Sequence, residues 1–476
     1  MKGTLVALIL IALGSYPASS VLAAGMPVIA NTTGAQPADA MGLKEAVQAA
    51  LKDNPQLKSG VWTVRSARQD VGIAKSNYLP ALKFEDRYMR TNNPTLVFMN
   101  KLNESRFTSS DFAIDSLNSP EAVNDFQGSV SLQQVIFSKR LNDSVGISKA
   151  VLAAKKESLE GLRQKVALET ADAYLGAVTA SRFRDAARQG VADAREHKRI
   201  ASLRYQSGLG LYSDVLRADS ALKEAQKRQA EAQKEYDVAR MGLGLAMGRS
   251  QMVQPLYNST SPEMVSAPGQ IDAYYNSIDN RPDVKAMEAQ TEAAGKAVGL
   301  AKSAYWPDLG AGGQYQWNDH RSPFEGEGSS YTVQGFLRWT IFDGTKTRHE
   351  IKKAEAGYNQ AGSMLDGLKK KARFDIFQAY SELNEAEKNL ALSRAELESA
   401  TEGNRLVQTR YKNSLAPIVD VLDSQTSLDA ARAGVIEAEN GYLQKYFRLE
   451  YESGKIIDFI DTLKETVFSG GANETK

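Results

Sequence analysis

The side chains that most often carry out catalysis or bind metals are sparse in this sequence. Its three histidines, His197, His320 and His349, are far apart and have none of the spacings typical of metal-ligand motifs. Cysteine is absent, which excludes disulfides, thiolate ligands and cysteine nucleophiles. The glycines of MGLGLAMG, Gly242 and Gly244, end a predicted helix with no strand before them, unlike a dinucleotide-binding loop. We therefore expect no catalytic residue, no metal site and no cofactor.

Two aspartates stand where predicted helices begin. Asp214 and Asp420 each follow a turn, and a carboxylate near a helix N-terminus is favoured by the free N–H groups and the macrodipole. Helix capping is thus the plain interpretation of both residues. Tyr411, in the helix before the second turn, is by the same reasoning a packing residue.

Composition excludes several classes of protein. The 476 residues are 42% hydrophobic and 24% charged, as in ordinary folded proteins, so we do not expect a disordered chain. The 58 basic and 57 acidic residues nearly cancel, and no strong field favours nucleic acid. We expect no nucleic-acid partner.

The N-terminus predicts export. Lys2 precedes an apolar run from Leu5 to Leu13, and small residues follow up to a plausible cleavage point near Ala23, as in a secretory signal peptide. No later apolar run is long enough for a transmembrane helix, whereas the alternating strands of a membrane β-barrel would escape this test. Because there is no cysteine, we expect no lipid anchor of the bacterial lipoprotein type.

The chain repeats itself. VGIAKSNYLPAL, from Val71, and VGLAKSAYWPDL, from Val298, share eight of twelve residues, and RYQSGLGLYSDVL, from Arg204, corresponds to RYKNSLAPIVDVL, from Arg410. The repeating unit is about 200 residues long, far beyond the units of solenoid proteins. The sequence therefore predicts a duplicated half-molecule.

Long helices are predicted between the prolines. None of the fourteen prolines lies within 138–254 or 324–416, and leucines and valines recur there at intervals of seven, which indicates coiled-coil packing. The stretches 138–203 and 343–409 would each span roughly 100 Å as helices. We predict shorter helices after the RY turns and over 42–77 and 271–304, with two short helices stacked end to end against each long one.

Strands with one apolar and one polar face lie between the helices. In SYTVQGFLRWTIF, Tyr331, Val333 and Leu337 alternate with Thr332 and Gln334, and similar runs begin near 82, 126 and 309. Each copy thus carries one β-hairpin, and the surplus of the first hairpin is expected to be a polar loop at its tip. The predicted organisation is a signal peptide (1–23), a linker (24–41), a first repeat (42–248, hairpin about 79–137), a connector (249–270), a second repeat (271–454, hairpin about 307–342) and a tail (455–476).

Four amphipathic strands cannot close a barrel. Their apolar face needs either a helical layer or lipid, and in lipid the open edges require strands from other chains. Three chains would supply twelve strands.

Taken together, the duplication, the hairpin in each copy, the long helices and the RY turns resemble the TolC-type outer-membrane efflux proteins over most of the mature chain. The resemblance implies a mainly α fold with a membrane β-barrel: a homotrimer whose 12-strand β-barrel in the outer membrane of a Gram-negative bacterium is continued by a long periplasmic α-helical barrel. It implies an export channel that works with a periplasmic adaptor (membrane fusion) protein and an inner-membrane transporter and that contacts outer-membrane lipid.

The resemblance also assigns roles at the RY turns, which would form the periplasmic tip. It implies that Asp420 and Asp423 ring the channel entrance and that Tyr411 with Asp214 helps to hold the entrance shut. The gating arginine of TolC corresponds to Ala416 here. Contacts with the adaptor are implied at five residues: Arg204, Gly208, Leu209, Arg410 and Leu415.

Several functions remain open at this point. The cargo of such a channel is small molecules or, alternatively, a secreted protein of a type I system, and the sequence does not distinguish a proton-driven pump from an ABC transporter as the inner-membrane partner. A periplasmic coiled-coil adaptor or scaffold is a more distant alternative, since an adaptor should have a single helical hairpin flanked by small β-domains. An enzyme is not expected.

Overall fold

The described part of the chain is mostly helical, with one sheet. The computed structural model describes residues 40–256 and 261–463; the predicted signal peptide, nearly all of the predicted linker and the end of the predicted tail lie outside these residues. The helices are α1 (Leu43–Asp53), α2 (Pro55–Ser76), α3 (Pro94–Asn103), α4 (Ile114–Asn118), α5 (Lys139–Gln206), α6 (Tyr212–Ala246), α7 (Ile271–Tyr275), α8 (Pro282–Lys302), α9 (Lys346–Lys412), α10 (Ile418–Glu452) and α11 (Ile456–Thr462). The strands are β1 (Ala81–Thr91), β2 (Val123–Phe137), β3 (Asp308–Asp319) and β4 (Gly328–Arg338).

Two helices dominate the molecule, as their lack of proline predicts. α5 has 68 residues and α9 has 67, so each extends roughly 100 Å. Predicted heptad positions are buried along them and their partners, among them Val166, Leu383 and Leu449. No α-helix within residues 40–256 and 261–463 combines the length and apolar character that a bilayer crossing requires.

The shorter helices pack along the long ones in sequence. Asp143, near the start of α5, lies beside Gly299 of α8. Farther along α5, Gly161 lies beside Pro282, the first residue of α8. Lys198 of α5 instead contacts Asp219 of α6, with 2.7 Å between the ammonium and carboxylate. α8 and α6 therefore follow one another along α5, as their lengths predict.

The predictions of single helices over 42–77 and 271–304 were wrong. The first region is divided at Asn54, whose side chain accepts a hydrogen bond from the backbone N–H of Gln56 and so begins α2 at Pro55. The second is divided between α7 and α8, which begins at Pro282. Proline has no backbone N–H and is suited to the first helical position, so each proline starts a new helix.

The four strands form one antiparallel sheet in the order β1-β2-β3-β4. β1 pairs with β2 and β3 with β4, which confirms one hairpin in each copy. β2 also pairs with β3, with an irregularity near Val135, so the sheet joins the two copies. β1 and β4 are its edges.

The sheet has the two-faced character that the alternation predicts. Phe84, Val130, Tyr315 and Tyr331 are neighbours across the four strands and share one face, while their partners one residue along, such as Gln314 and Thr332, are polar. The apolar face is open: Tyr331 and Val333 are each 80% exposed.

The connection between β1 and β2 differs from the predicted loop. Residues 94–118 contain α3, α4 and a short 3₁₀ helix over Ser109–Phe112. Asn93 begins α3 by accepting hydrogen bonds from the N–H groups of Thr95 and Leu96, and Phe98, Phe107 and Phe112 pack edge to face. These local contacts order a stretch whose composition resembles a loop.

The main core lies at mid-length of the long helices. Tyr174, Leu243, Leu383 and Phe447 are all essentially buried there. The start of the predicted tail also contributes, because it forms α11, whose Ile456 is fully buried. The helices are thus fixed at their middle and leave the RY turns at one end and the sheet at the other.

Candidate functional site

The two RY turns have the same backbone structure. In the first, Leu209 N–H donates to the Arg204 carbonyl at 2.8 Å and Gly208 has a φ of +71°. In the second, Leu415 N–H donates to the Arg410 carbonyl at 2.8 Å and Ser414 has a φ of +63°. Both are helix C-caps of the Schellman type, in which a left-handed residue reverses the chain. Serine therefore adopts, at some steric cost, the conformation that glycine adopts freely.

Arg204 of the first turn forms hydrogen bonds with the second turn. Its guanidinium donates to the carbonyl of Tyr411 at 3.0 Å and to the Ser414 hydroxyl at 3.2 Å, and also to the carbonyl of Leu209 in its own turn. The guanidinium carbon lies 4.8 Å from the centre of the Tyr411 ring. These contacts place a cation at two helix C-termini and over an aromatic face, both favourable positions.

Tyr411 is the buried centre of this end of the molecule. It packs with Ile418 and Val421, and Ala416 lies against the same cluster. Burial raises the pKa of Tyr411; Arg204 opposes the rise and the nearby carboxylate of Asp214 adds to it. Among the residues that the structure describes, no hydrogen bond joins the Tyr411 hydroxyl to Asp214. The predicted pair is therefore not hydrogen-bonded, and the burial of Tyr411 against Ile418 and Val421 agrees with the packing interpretation.

Asp214 and Asp420 lie in the first turn of their helices rather than at the capping position. Each is the third residue of its helix, after Leu211 and Pro417, and neither helix begins with a side-chain capping hydrogen bond. Their carboxylates interact with the helix N-terminus only through the macrodipole.

Two acidic residues near the start of α10 differ from most of those farther along the helix. Asp420 and Asp423 lie one turn apart and are both exposed. In the described part of the chain no ion pair engages either carboxylate, although many other acidic residues have one. They therefore form a small patch of uncompensated negative charge beside the second turn.

The residues predicted to contact an adaptor lie mostly at the surface of the two turns. Leu209 and Leu415 are 67% and 76% exposed, and Gly208 and Arg410 are also exposed. Arg204 differs, because it is half-buried under the contacts described above. These two large leucines, at matching positions of the two turns, are left uncovered by the residues that the structure describes.

A buried polar network above the turns was missed by sequence reasoning. Gln425 accepts a hydrogen bond from the Asn404 amide at 2.9 Å, lies 3.4 Å from His197, and donates to Asp429 at 2.9 Å. It joins α5, α9 and α10. A histidine, an asparagine and a glutamine interrupting an apolar heptad were the available signal, since buried polar groups in coiled coils favour one register over others.

This end of the molecule presents apolar and acidic side chains at its surface. Its carboxylates, guanidinium and aromatic ring bind one another or face solvent, and no nucleophile with an adjacent base occurs among these side chains. The turns are two hairpin ends, joined by Arg204, that have exposed leucines and an acidic patch.

Comparison with known proteins gives a consistent result. The family model described as outer membrane efflux protein matches residues 46–249 and 273–454. The protein CyaE of Bordetella pertussis is 26% identical over 416 residues, covering 83% of this chain and 80% of that protein. The alkaline protease secretion protein AprF of Pseudomonas aeruginosa is 22% identical over 434 residues, covering 89% and 86%.

The fold is also similar to a solved structure. The crystal structure of CusC, determined in a study of folding and transmembrane channel formation, matches with a TM-score of 0.74 at 16% identity. The match covers 88% of this chain and 93% of that one.

Proposed function

This chain belongs to the outer membrane efflux protein family, and from that premise we propose that it is the outer-membrane channel of a tripartite export system. It receives small molecules from an inner-membrane pump and a periplasmic adaptor and conducts them out of the cell. This is a transport function, without catalysis.

The open apolar face of the sheet is the observation that carries the proposal. Leu82, Phe84, Tyr331, Val333 and Leu337 are between 60% and 80% exposed on it. Such a face is unstable in water and stable against lipid chains, and the polar face behind it suits an aqueous lumen. We therefore assign this face to the outer membrane of a Gram-negative bacterium and the helices to the periplasm.

The edges of the sheet support a homotrimer. Within residues 40–256 and 261–463, no strand lies on the outer side of β1 or β4, and unpaired backbone groups are very costly in lipid. Three copies of the four-stranded sheet close into a 12-strand barrel, and the helices continue it as a periplasmic barrel. Exposed aromatic residues on α9, such as Phe374 and Phe377, agree with contacts to another chain.

The RY turns are the periplasmic entrance in this arrangement. Asp420 and Asp423 from three chains surround the axis with carboxylates and favour cations. Arg204, Gly208, Leu209, Arg410 and Leu415 form the surface on which the adaptor docks, with the two leucines as its apolar anchors.

Tyr411 and Asp214 keep the entrance narrow in the same proposal. Changing Tyr411→Phe together with Asp214→Ala removes the hydroxyl and the carboxylate, and we expect a higher single-channel conductance. The matched control is Tyr205→Phe, at the corresponding position of the first turn, which should leave the conductance unchanged. An unchanged conductance in the double variant would mean that the pair only packs.

A second cargo is compatible with the same channel. The similarity to AprF makes the outlet of a type I protein-secretion system the alternative to small-molecule efflux. The transporter that copurifies with the channel distinguishes them, because a proton-driven pump favours efflux and an ABC transporter favours protein export. A periplasmic adaptor or scaffold is disfavoured, since neither needs a sheet with an open apolar face.

The test is direct. The protein should fractionate with the outer membrane, migrate as a heat-sensitive species that crosslinks to three chains, and form conducting channels in planar bilayers. A soluble periplasmic monomer that forms no channels would overturn the proposal.

A further inference from the structure

The connection between β1 and β2 meets the β3–β4 turn at the end of the sheet far from the helices. The contact is very close at Gly328, where a Cβ atom would lie 1.8 Å from the carbonyl oxygen of Asn103. Only glycine leaves room for the end of α3 against the start of β4. Two segments more than 200 residues apart in the sequence are thereby held together.

Three potential metal ligands converge at this contact. Glu104, His320 and Glu327 each offer one ligand atom, and these atoms all lie within 4.8 Å of one another. His320 Nδ1 lies 2.6 Å from a carboxylate oxygen of Glu327, while the exposed Arg321 donates to His320 Nε2 at 2.9 Å. The neutral ring therefore carries its proton on Nδ1 and donates it to Glu327.

Negative charge is buried beside this group without full compensation. Glu104 is 1% exposed; one of its oxygens pairs with Arg106, and the other, Oε1, is buried with no hydrogen-bond partner among the described residues. Asp125 is fully buried, and its Oδ1 accepts from Asn318 at 2.8 Å while Oδ2 has no partner there.

Such a site has an electrostatic cost that a cation would remove. A buried carboxylate oxygen without a partner is unfavourable, and two of them near each other are more so. The alternative to a cation site is a turn held only by the hydrogen bond between His320 and Glu327. That alternative does not explain why Glu104 and Asp125 are buried at the same place.

We propose that Glu104, His320 and Glu327 bind a divalent transition-metal ion of the Zn²⁺ class that links the connections of the two hairpins. One imidazole and two carboxylates are ligands that Zn²⁺ accepts, and three protein ligands leave one position for water. Asp125, which is fully buried and hydrogen-bonded to Asn318, adds negative charge at the same end of the sheet. When the ion takes Nδ1, the ring proton moves to Nε2 and the exposed Arg321 turns into solvent.

The test is calorimetric titration of ZnCl₂ into the tag-free, chelator-treated full chain in mild detergent. We expect about one Zn²⁺ per chain, with Mg²⁺ binding far more weakly because it prefers all-oxygen sites. His320→Ala and Glu104→Gln should each weaken Zn²⁺ binding by about 100-fold or more, since even indirect partners of metal ligands contribute 10- to 100-fold. The matched control is His349→Ala, which removes an exposed histidine of α9 and should bind as the wild type does.

A second measurement does not depend on any variant. Zn²⁺ should slow trypsin cleavage after Arg106 in the wild-type chain, and the same concentration of Mg²⁺ should not. The proposal is overturned if the wild type gives neither a binding signal nor protection, or if His349→Ala weakens binding as much as His320→Ala does.

Discussion

An arginine substituted at the middle of β4 should destabilise the protein only when it lies on the apolar face of the sheet. Val333 is the sixth of the eleven residues of β4, lies on the apolar face and is 80% exposed. Gln334, its neighbour, lies on the polar face. Their partners across β3 are Gly313 and Gly312, so both arginines would meet similar space within the sheet.

The expected loss of stability in Val333→Arg follows from the position of this residue in the sheet. An arginine facing lipid at the bilayer midplane of a β-barrel costs about 2–4 kcal/mol, which is roughly a 30- to 1000-fold change in the folding equilibrium of each chain. Three chains in one barrel would triple the cost. An arginine facing an aqueous lumen at residue 334 should change the free energy of unfolding by about 0.5 kcal/mol or less, as for most surface substitutions.

Urea unfolding in lipid vesicles, followed by loss of heat-sensitive mobility, measures the difference. We expect Val333→Arg to shift the midpoint strongly to lower urea, and Gln334→Arg to leave it almost unchanged. Equal shifts for the two variants would show that the open apolar face does not contact lipid. A larger shift for Gln334→Arg would place the lipid on the other side of the sheet.

Three further outcomes test other parts of the molecule. Asp420→Asn combined with Asp423→Asn should reduce the preference for cations in planar-bilayer recordings, and an unchanged reversal potential would show that these carboxylates do not face the pore. An epitope inserted after Asn118 should be labelled on intact cells, because that connection lies at the end of the sheet away from the helices; labelling only after permeabilisation would reverse the orientation. Burial raises the pKa of Asp172 to about 6, so the folded state binds its proton more tightly than the unfolded state and stability falls as the pH rises from about 4 through 6. Asp172→Asn should therefore raise the melting temperature above pH 6 and match the wild type below pH 4, whereas a pH-independent difference would contradict the shift.

The candidate site was only partly predictable. The RY repeats located both turns, but the left-handed conformation of Gly208 in the first turn is a finding of the structure. Ser414 shows that the second turn keeps this conformation without glycine. The contact of Arg204 with the carbonyl and the ring of Tyr411 could not be predicted, because it joins residues of the two copies and depends on how the helices pack.

Sequence by itself determined the long helices and the two-faced strands. Helix length follows from heptads and absent prolines, strand faces follow from alternation, and both depend on neighbours only a few residues away. The two copies of the repeat could be aligned with each other in the sequence, because similar local sequences form similar elements.

Tertiary structure alone decided which distant residues meet. The pairing of β2 with β3, the Gln425 network and the group of Glu104, His320 and Glu327 all join segments that are separated by long stretches of chain. Their spacing in the sequence carries no signal, because such contacts form only after the long helices and the hairpins have packed, and it is this packing that determines the distances between them.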